Sequence, residues 1–272
     1  MFNPITSLAS NARALDQFFT RREVAAECIA AVRGYLAADV RRWLWIEPSA
    51  GSGAFFDAMP GPKIGLDLFS QRADIAMADF LTWHPDQTSG PIAVVGNPPF
   101  GKNSSLARKF LNHAAGFADL VAFILPRTFQ KPSFINRINR SMHLVREISL
   151  SDDSFLFENQ PYAVPTVFQI WEKRTELRAV TYNQMQHPHF AFVAASGADF
   201  AFQRVGARAG LVSKEGLQKS AQSHYFLKPC IESDQLFDRL RSIDWDPIKR
   251  RTAGNPSIGK GELIGSYSAA FA

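Results

Sequence analysis

The chain has 272 residues, 46% of them hydrophobic, and a net charge of +5, which is enough for one large α/β domain and a smaller appendage. Its longest apolar runs, such as 120–125, are far shorter than the roughly 20 residues of a membrane span. The N-terminus has no basic-then-apolar signal pattern. Cys28 and Cys230 are far apart and the six histidines are scattered, so neither a disulfide nor a metal site is expected. These features predict a reduced, cytoplasmic protein without a membrane or metal partner.

Strand and helix signals alternate through the first two thirds of the chain. An amphipathic helix is predicted over 21–38, and a second helix begins after Asn103 or Ser104. The predicted strands cover 43–47, 63–67, 74–78, 92–96, 120–125, 144–150 and 164–171. Such alternation favours a parallel sheet with right-handed crossovers. The last two strands have no obvious helix between them and are compatible with an antiparallel hairpin.

The pattern changes after Lys173. Short strands are predicted over 189–195, 200–205 and 223–227, followed by a helix over 233–243 and a tail over 248–265 that is rich in Lys, Arg, Gly and Asn. We therefore expect two domains, residues 1–174 and 175–272. Basic and acidic residues balance through residue 172, so the whole net charge lies in the last hundred residues. A basic module beside a neutral one favours a polyanionic partner, although an ordinary solvated surface is the alternative.

A glycine-containing turn follows the first predicted strand of the sheet. It reads Glu47-Pro48-Ser49-Ala50-Gly51-Ser52-Gly53. The two glycines permit a tight turn and a close approach of the backbone to a ligand, and Glu47 offers a hydrogen-bond acceptor. Phe56 stands where the dinucleotide fingerprint requires a third glycine, which argues against NAD.

The next two predicted strands end in carboxylates. Asp67 can accept hydrogen bonds from both hydroxyls of a ribose, and Asp79 can accept one from an adenine amino group while Phe80 packs on the ring. Helix capping or solvent exposure would also explain aspartates at these positions. Their location at the ligand-binding edge of successive strands favours a binding role.

The most informative segment is Val94-Val95-Gly96-Asn97-Pro98-Pro99-Phe100-Gly101. A buried-strand signal leads into two prolines, which continue neither a strand nor a helix. The turn presents the amide of Asn97, the carbonyl of Pro98 and the ring of Phe100. Together these groups can hold a planar amino group attached to an aromatic ring.

With these motifs in this order, residues 16–173 resemble the gamma class of S-adenosylmethionine-dependent N6-adenine DNA methyltransferases, in which Asn-Pro-Pro-Phe is the catalytic motif. Asp16-Gln17-Phe18-Phe19-Thr20 resembles the opening motif of that family, although Arg21 stands where proline is usual. Phe155-Leu156-Phe157-Glu158 resembles the late motif whose aromatic residue packs on the flipped base. Phe157 is the matching position, and Tyr162 is the second candidate.

The resemblance implies a Rossmann-like seven-stranded sheet with a reversed last strand, together with a small C-terminal α+β region that recognises nucleic acid. It implies catalysis by Asn97, Pro98, Pro99 and Phe100. It implies S-adenosyl-L-methionine as the cofactor, held by Thr20, Glu47, Ser49, Gly51, Gly53, Asp67, Asp79 and Phe80.

A basic segment follows the predicted strand over 120–125 and contains no acidic residue before Arg146. Its cations include Arg127, Lys131, Arg137 and Arg140. They could hold the phosphates that flank an extruded base, or they could belong to a solvated loop and helix.

Four functions remain compatible with these residues. The leading interpretation is methylation of adenine N6 in DNA, by a free-standing enzyme or one from a restriction–modification or phage source. Methylation of adenine N6 in RNA uses the same chemistry, and the small C-terminal region keeps it open. A protein-glutamine methyltransferase fits less well, because that family usually has tyrosine in the motif. A non-enzymatic nucleic-acid-binding subunit is the fourth, and the full set of pocket residues argues against it.

Overall fold

The computed structural model describes residues 19–37, 39–70, 72–86, 90–157, 160–181, 185–252 and 254–271. Of the opening motif, Asp16, Gln17 and Phe18 therefore lie outside the described residues. The chain divides into two units. The first comprises Met1–Pro126 and Phe134–Val180, and the second comprises Arg127–Ser133 and Thr181–Ala272.

The described residues of the first unit form ten strands. In chain order they are β1 (Phe19–Thr20), β2 (Leu44–Glu47), β3 (Lys63–Asp67), β4 (Ala76–Met77), β5 (Ile92–Gly96), β6 (Leu120–Pro126), β7 (Met142–Ser149), β8 (Phe155–Phe157), β9 (Gln160–Tyr162) and β10 (Thr166–Lys173). Seven of them form the main sheet, in the spatial order β4-β3-β2-β5-β6-β10-β7. The first five strands in this order are parallel, and β10 is antiparallel to both of its neighbours. The predicted seven-stranded Rossmann-like sheet with a reversed last strand is confirmed.

The helices of the chain begin with α1 (Arg22–Leu36), α2 (Ala54–Ala58), α3 (Ser105–Ala114) and α4 (Pro132–Ile135). Short 3-10 turns cover Val40–Arg42, Lys102–Ser104, Arg127–Gln130, Ala195–Gly197 and Gly216–Gln218. The apolar stripe of α1 is buried through Ala25, Cys28, Ile29 and Val32. The central strands β5 and β6 are buried along their whole length, as expected for parallel strands covered on both faces.

The remaining strands of the first unit form a small separate sheet. In it β8 pairs antiparallel with both β1 and β9. The pairing joins the end of the opening motif to the late aromatic motif, since Thr20 lies opposite Phe155. Two segments distant in sequence, both predicted to belong to the site, are therefore adjacent strands.

The second unit has its own antiparallel sheet and its own core. Its strands are β11 (Phe190–Val193), β12 (Phe200–Gln203), β13 (Val212–Ser213) and β14 (His224–Pro229), in the order β11-β14-β12-β13. Its helices are α5 (Ser233–Ser242), α6 (Asp246–Lys249) and α7 (Lys260–Phe271). The core includes Phe190, Phe200, Phe202, Leu236 and Tyr267. The composition is α+β, as predicted for the C-terminal region.

Two features of this region go beyond what the sequence predicts. The tail over 248–265 includes the end of α6 and the first half of α7, and α7 contributes the buried residues Leu263, Ile264 and Tyr267. Residues 175–180 belong to the first unit and 127–133 belong to the second, so the division does not coincide with one cut near residue 175. Among the described residues, no helix combines the length and the apolar character required to cross a bilayer.

Candidate active site at the carboxyl edge of the main sheet

Glu47 ends β2 as a buried carboxyl group. Only 2% of its surface is exposed, and its Oε2 atom accepts a hydrogen bond from the Phe56 amide at 2.6 Å. Burial raises the pKa of Glu47 well above its usual value, because the charged form loses its hydration. The site therefore contains an acidic side chain that a cationic group placed beside it would keep ionised.

The glycine turn after β2 is bonded to the end of β3. Gly51 has a φ of 50°, in the left-handed region that favours glycine. Its amide donates to Asp67 Oδ2 at 2.8 Å, and the Ala50 amide donates to the Leu66 carbonyl at 2.8 Å. A Cβ atom at Gly51 would lie 3.4 Å from the Phe19 ring. The turn, the ribose-binding candidate Asp67 and the opening motif are thus brought together.

Gly53, the second glycine of the turn, lies against the side chain of Arg72. Its φ is 86°, and an added Cβ would collide with the guanidinium of Arg72. Arg72 donates to the Ser52 carbonyl at 3.1 Å and pairs with Asp57 at 2.8 Å. Arg72 therefore fills the space that a side chain at residue 53 would need, and contact between the Gly53 backbone and a cofactor stays a prediction. Sequence reasoning missed Arg72, because its partner Asp57 lies 15 residues away with no motif linking them.

Asp67 and Asp79 follow adjacent strands, as expected. Asp67 also accepts the Phe69 amide through Oδ1 at 2.9 Å, so hydrogen bonds orient both of its oxygens. The Ala78 amide donates to the Asp67 carbonyl at 3.0 Å, which brings the segment before Asp79 to the end of β3. Asp79 is exposed and accepts the Leu81 amide at 2.9 Å. Two carboxylates therefore lie at neighbouring strand ends.

Phe80 does not have the exposed ring expected of a residue that packs on adenine. It is buried, and its ring packs against Phe110, His113 and Phe117 at centroid distances of 5.1, 5.0 and 6.1 Å. These contacts join α3 to the segment that follows β4. The exposed apolar side chains beside Asp67 are those of Leu68 and Phe69, with 69% of Phe69 accessible.

The Asn-Pro-Pro-Phe turn is fixed on both sides. The Ser49 hydroxyl donates to the Asn97 carbonyl at 3.0 Å, which joins the glycine turn to the end of β5. The carbonyl of Phe100 accepts the amides of Leu106 and Ala107 at 3.1 and 3.3 Å. Pro98 is buried and Pro99 is half-buried. Phe100 keeps 9% of its surface exposed, so stacking of a base on this ring stays a prediction.

The predicted base-holding aromatics lie on the small sheet. Phe157 ends β8 opposite Gln160, and its side chain lies outside what the structure describes. Tyr162 is 44% exposed and lies opposite Phe155. Thr20, on the adjacent strand β1, is buried. Tyr162 is thus the exposed aromatic residue described in this pair of strands.

The four predicted phosphate-binding cations are divided between the units. Arg137 and Arg140 belong to the first unit, whereas Arg127 and Lys131 belong to the second. The Arg140 side chain donates to the Arg178 carbonyl at 2.9 Å, and Lys131 pairs with Glu262 at 3.3 Å. Phosphate binding by either pair therefore stays a prediction for each unit separately.

The groups at this edge fit the chemistry of S-adenosylmethionine. The turn at Gly51 places backbone at the carboxyl edge of the main sheet, where a ligand can approach it closely. The oriented carboxylate of Asp67 suits the hydroxyls of a ribose. The exposed side chains of Leu68 and Phe69 offer an apolar surface for an adenine ring. The buried carboxyl of Glu47 suits an ammonium group.

A scan against protein-family models and a search of curated proteins give no match. Among solved structures, a candidate RNA methyltransferase from Pyrococcus horikoshii is similar at 17% identity and a TM-score of 0.46, over 58% of this chain and 88% of that one. The methyltransferase subunit of a type I restriction-modification system from Streptococcus thermophilus is similar at 16% identity and a TM-score of 0.44, over 92% of this chain and 59% of that one. The modification subunit of a candidate type I restriction enzyme from Vibrio vulnificus is similar at 13% identity and a TM-score of 0.43, over 62% of this chain and 47% of that one. At these identities and TM-scores the likeness assigns no function to this chain.

Proposed function

We propose that this chain transfers a methyl group from S-adenosylmethionine to the exocyclic N6 amino group of adenine in DNA. The observation that carries the proposal is the direct bond between two motifs, in which the Ser49 hydroxyl of the glycine turn donates to the Asn97 carbonyl at 3.0 Å. The residues proposed to bind the methyl donor and those proposed to bind the amino group therefore belong to one hydrogen-bonded structure.

The chemistry requires activation of a weak nucleophile. The lone pair of an adenine amino group is delocalised into the ring, so the nitrogen attacks poorly. The side-chain oxygen of Asn97 and the carbonyl of Pro98 can each accept one N–H. This arrangement brings the nitrogen closer to sp³ geometry. Both hydrogen bonds strengthen as positive charge develops on the nitrogen, so they stabilise the transition state more than the ground state.

The remaining pocket residues position the two reactants. When bound, S-adenosylmethionine supplies an electrophilic methyl group. Asp67 would accept the ribose hydroxyls, Asp79 the adenine amino group of the donor, and Glu47 would lie near its ammonium group. Thr20 would donate to the methionine carboxylate. Alignment of the two reactants accounts for much of the expected acceleration.

A target adenine in a duplex must leave its stack, at a cost of a few kcal/mol. Phe100 would stack on the extruded base, with Phe157 or Tyr162 against it from another side. The excess of cations in residues 173–272 supports nucleic acid as the substrate. A restriction–modification setting would suit such an enzyme.

Transfer of a tritiated methyl group to duplex DNA, single-stranded DNA and RNA tests the proposal, with nucleoside analysis of the product. We expect N6-methyladenine in DNA. Labelling of RNA alone would identify RNA instead of DNA as the substrate. Label found on protein glutamine would identify protein instead of nucleic acid as the substrate.

Asn97→Ala tests the mechanism. It should remove methyl transfer and leave the affinity for S-adenosylmethionine nearly unchanged, because Asn97 is proposed to bind the amino group and not the donor. Asn255→Ala, at an exposed position of the second unit, is the matched control and should retain activity. More than a tenth of wild-type activity in Asn97→Ala would contradict the assigned role.

A further inference from the structure

A pocket of about 470 Å³ lies within the second unit, inside the range of roughly 300–1,000 Å³ typical of small-ligand sites. Its polar lining includes Lys131, Arg204, Tyr225, Lys260 and Glu262. Three cations against one carboxylate give the pocket a positive balance. The pocket therefore favours an anionic ligand. Its one carboxylate, Glu262, offers a hydrogen-bond acceptor among side chains that donate.

Glu262 is the unusual member of this lining. Its Oε2 atom accepts the Gly259 amide at 2.8 Å and pairs with Lys131 at 3.3 Å. Because Gly259 directly precedes α7, the first of these bonds caps the helix. The other oxygen, Oε1, is buried without a hydrogen-bond partner, and only 8% of the side chain is exposed. A buried carboxylate oxygen normally accepts a hydrogen bond. Helix capping therefore accounts for Oε2 but not for Oε1.

Arg204 presents the complementary feature. Its Nε atom is also buried without a partner. Its guanidinium lies over the Tyr225 ring at 4.9 Å, and Lys260 Nζ lies 4.6 Å from the Phe192 ring centroid and 5.8 Å from that of Tyr225. The pocket thus holds an unused donor and an unused acceptor beside an aromatic side chain.

The start of α7 adds to the positive character. This helix has twelve residues, and its N-terminal residues Lys260 and Gly261 line the pocket. The amides of a first helical turn have no intrahelical partner and favour an anion. An inorganic anion alone would satisfy these donors and the cations, but it would face the free oxygen of Glu262 unfavourably.

We infer that this pocket binds one nucleotide whose base carries an amino group. The phosphate is held by Lys131, Arg204 and Lys260. The amino group donates to Glu262 Oε1, and the base lies beside Tyr225. The nucleotide belongs to a DNA strand or is a free monophosphate, since both present the same chemistry. Only the choice of DNA rests on the proposed function, because binding here needs no methyl transfer.

Calorimetry on the full chain tests this inference with three probes: deoxycytidine monophosphate, thymidine monophosphate and inorganic phosphate. Both nucleotides are pyrimidines, and they differ at position 4, the group proposed to face Glu262, as well as at N3 and by the C5 methyl group of thymine. Deoxycytidine monophosphate should bind about tenfold more tightly than thymidine monophosphate, since thymine offers a carbonyl where cytosine offers an amino group. Inorganic phosphate should bind more weakly than deoxycytidine monophosphate. Equal affinity for the two nucleotides, or phosphate binding as tight as that of deoxycytidine monophosphate, would overturn the inference.

Variants assign the binding to this pocket. Glu262→Gln keeps an amide oxygen for Gly259 and should abolish the preference for cytosine, and its thermal unfolding checks that α7 is intact. Lys260→Ala should lower the affinity for both nucleotides by the same factor. Lys219→Ala removes one exposed cation from the same unit and should change neither affinity. A cytosine preference that survives Glu262→Gln would contradict the inference.

A nine-residue oligothymidylate with one central cytosine separates the two sources. If the oligonucleotide binds more tightly than deoxycytidine monophosphate, and its cytosine preference is lost in Glu262→Gln, the natural ligand is a nucleotide within a DNA strand. Equal affinity for the monophosphate and the oligonucleotide indicates a free nucleotide. Asn97→Ala should keep the cytosine preference, so failure of methyl transfer and failure of this pocket are distinguishable.

Discussion

At the scale of single residues, Asp67 combines two roles, binding of the cofactor and support of the glycine turn, and Asp79 is proposed to share only the first. Asp67 accepts the Gly51 amide, so its removal leaves a donor of the glycine turn without its acceptor. Asp67→Ala should lower both the affinity for S-adenosylmethionine and the free energy of unfolding, each by about 1–3 kcal/mol. Asp79→Ala should lower the affinity similarly but change the unfolding free energy by less than about 0.5 kcal/mol, because the side chain is exposed and bonded locally.

Calorimetry with the cofactor and denaturant unfolding measure these two quantities. Unchanged cofactor affinity in both variants would mean that the cofactor binds elsewhere. An equal loss of stability in the two variants would contradict the special role of the bond between Asp67 and Gly51.

The buried carboxyl of Glu47 predicts a pH dependence of stability. Burial raises its pKa in the folded state well above the ordinary value of a glutamate carboxyl. Its contribution to stability is therefore fully present below the unfolded-state pKa and is lost as pH rises through the folded-state pKa. Glu47→Gln keeps an oxygen for the Phe56 amide and has no such loss. The variant should therefore gain stability relative to wild type as pH rises from about 4 to 8.

Urea unfolding of both proteins across this range measures the difference. A difference that does not change with pH would show that Glu47 has the same pKa in the folded and unfolded chains.

At the scale of elements, the turn between β2 and α2 depends on a left-handed residue. Gly53→Ala should lower the free energy of unfolding by about 1–3 kcal/mol, because alanine at a φ of 86° is strained and its Cβ displaces Arg72 from the turn. Gly34 provides the control, since it lies within α1 and a Cβ there meets nothing within 4 Å. Gly34→Ala should raise stability by about 0.5–1 kcal/mol. Denaturant unfolding measures both changes. If the two substitutions changed the free energy of unfolding in the same direction, the proposed role of Gly53 would be wrong.

The boundaries of β3 and β5 could be predicted to the residue. Pro62 precedes β3, and Asn97-Pro98 follows β5, so local chemistry marks these strand ends. Helix α7 could not be predicted, because Gly261 and Gly265 interrupt its sequence and its stability comes from burying Leu263, Ile264 and Tyr267 in the second unit.

The same distinction applies to the site. The positions of Asp67, Asp79 and Asn97 at or just after strand ends could be predicted, because parallel strands bring their carboxyl ends to one edge. Arg72 and the pair of Lys131 with Glu262 could not, because their partners are set by tertiary packing. Lys131 and Glu262 are 131 residues apart, and no local pattern links them.

At the scale of the whole molecule, the end of the first unit predicts where a truncation is tolerated. Arg178 donates to the carbonyls of Ile135 and Ile138 at 2.8 and 3.2 Å and to that of Met142 at 3.2 Å. A chain ending at Val180 keeps these bonds, whereas a chain ending at Arg174 loses them. The chain that ends at Val180 should therefore unfold at a higher temperature than the chain that ends at Arg174, and it should still bind S-adenosylmethionine.

Both truncations should bind DNA weakly if the second unit contacts the phosphates. The slope of log affinity against log salt should shrink by about 0.9 for each lost phosphate contact on duplex DNA. A soluble truncation with undiminished DNA affinity would instead assign the phosphate contacts to cations that both truncations keep, namely Arg127, Lys131, Arg137 and Arg140. An insoluble protein without cofactor binding would mean that the units do not fold separately.

The path of the chain between the units has a consequence for recombination. The chain leaves the first unit after Pro126, returns to it at Phe134 and leaves again after Val180. A single crossover between two relatives of this protein near residue 175 would therefore combine Lys131 of one parent with Glu262 of the other. Functional chimaeras should be those that inherit residues 127–133 and 181–272 from the same parent. Exchange of specificity between such proteins then requires two linked segments rather than one cassette.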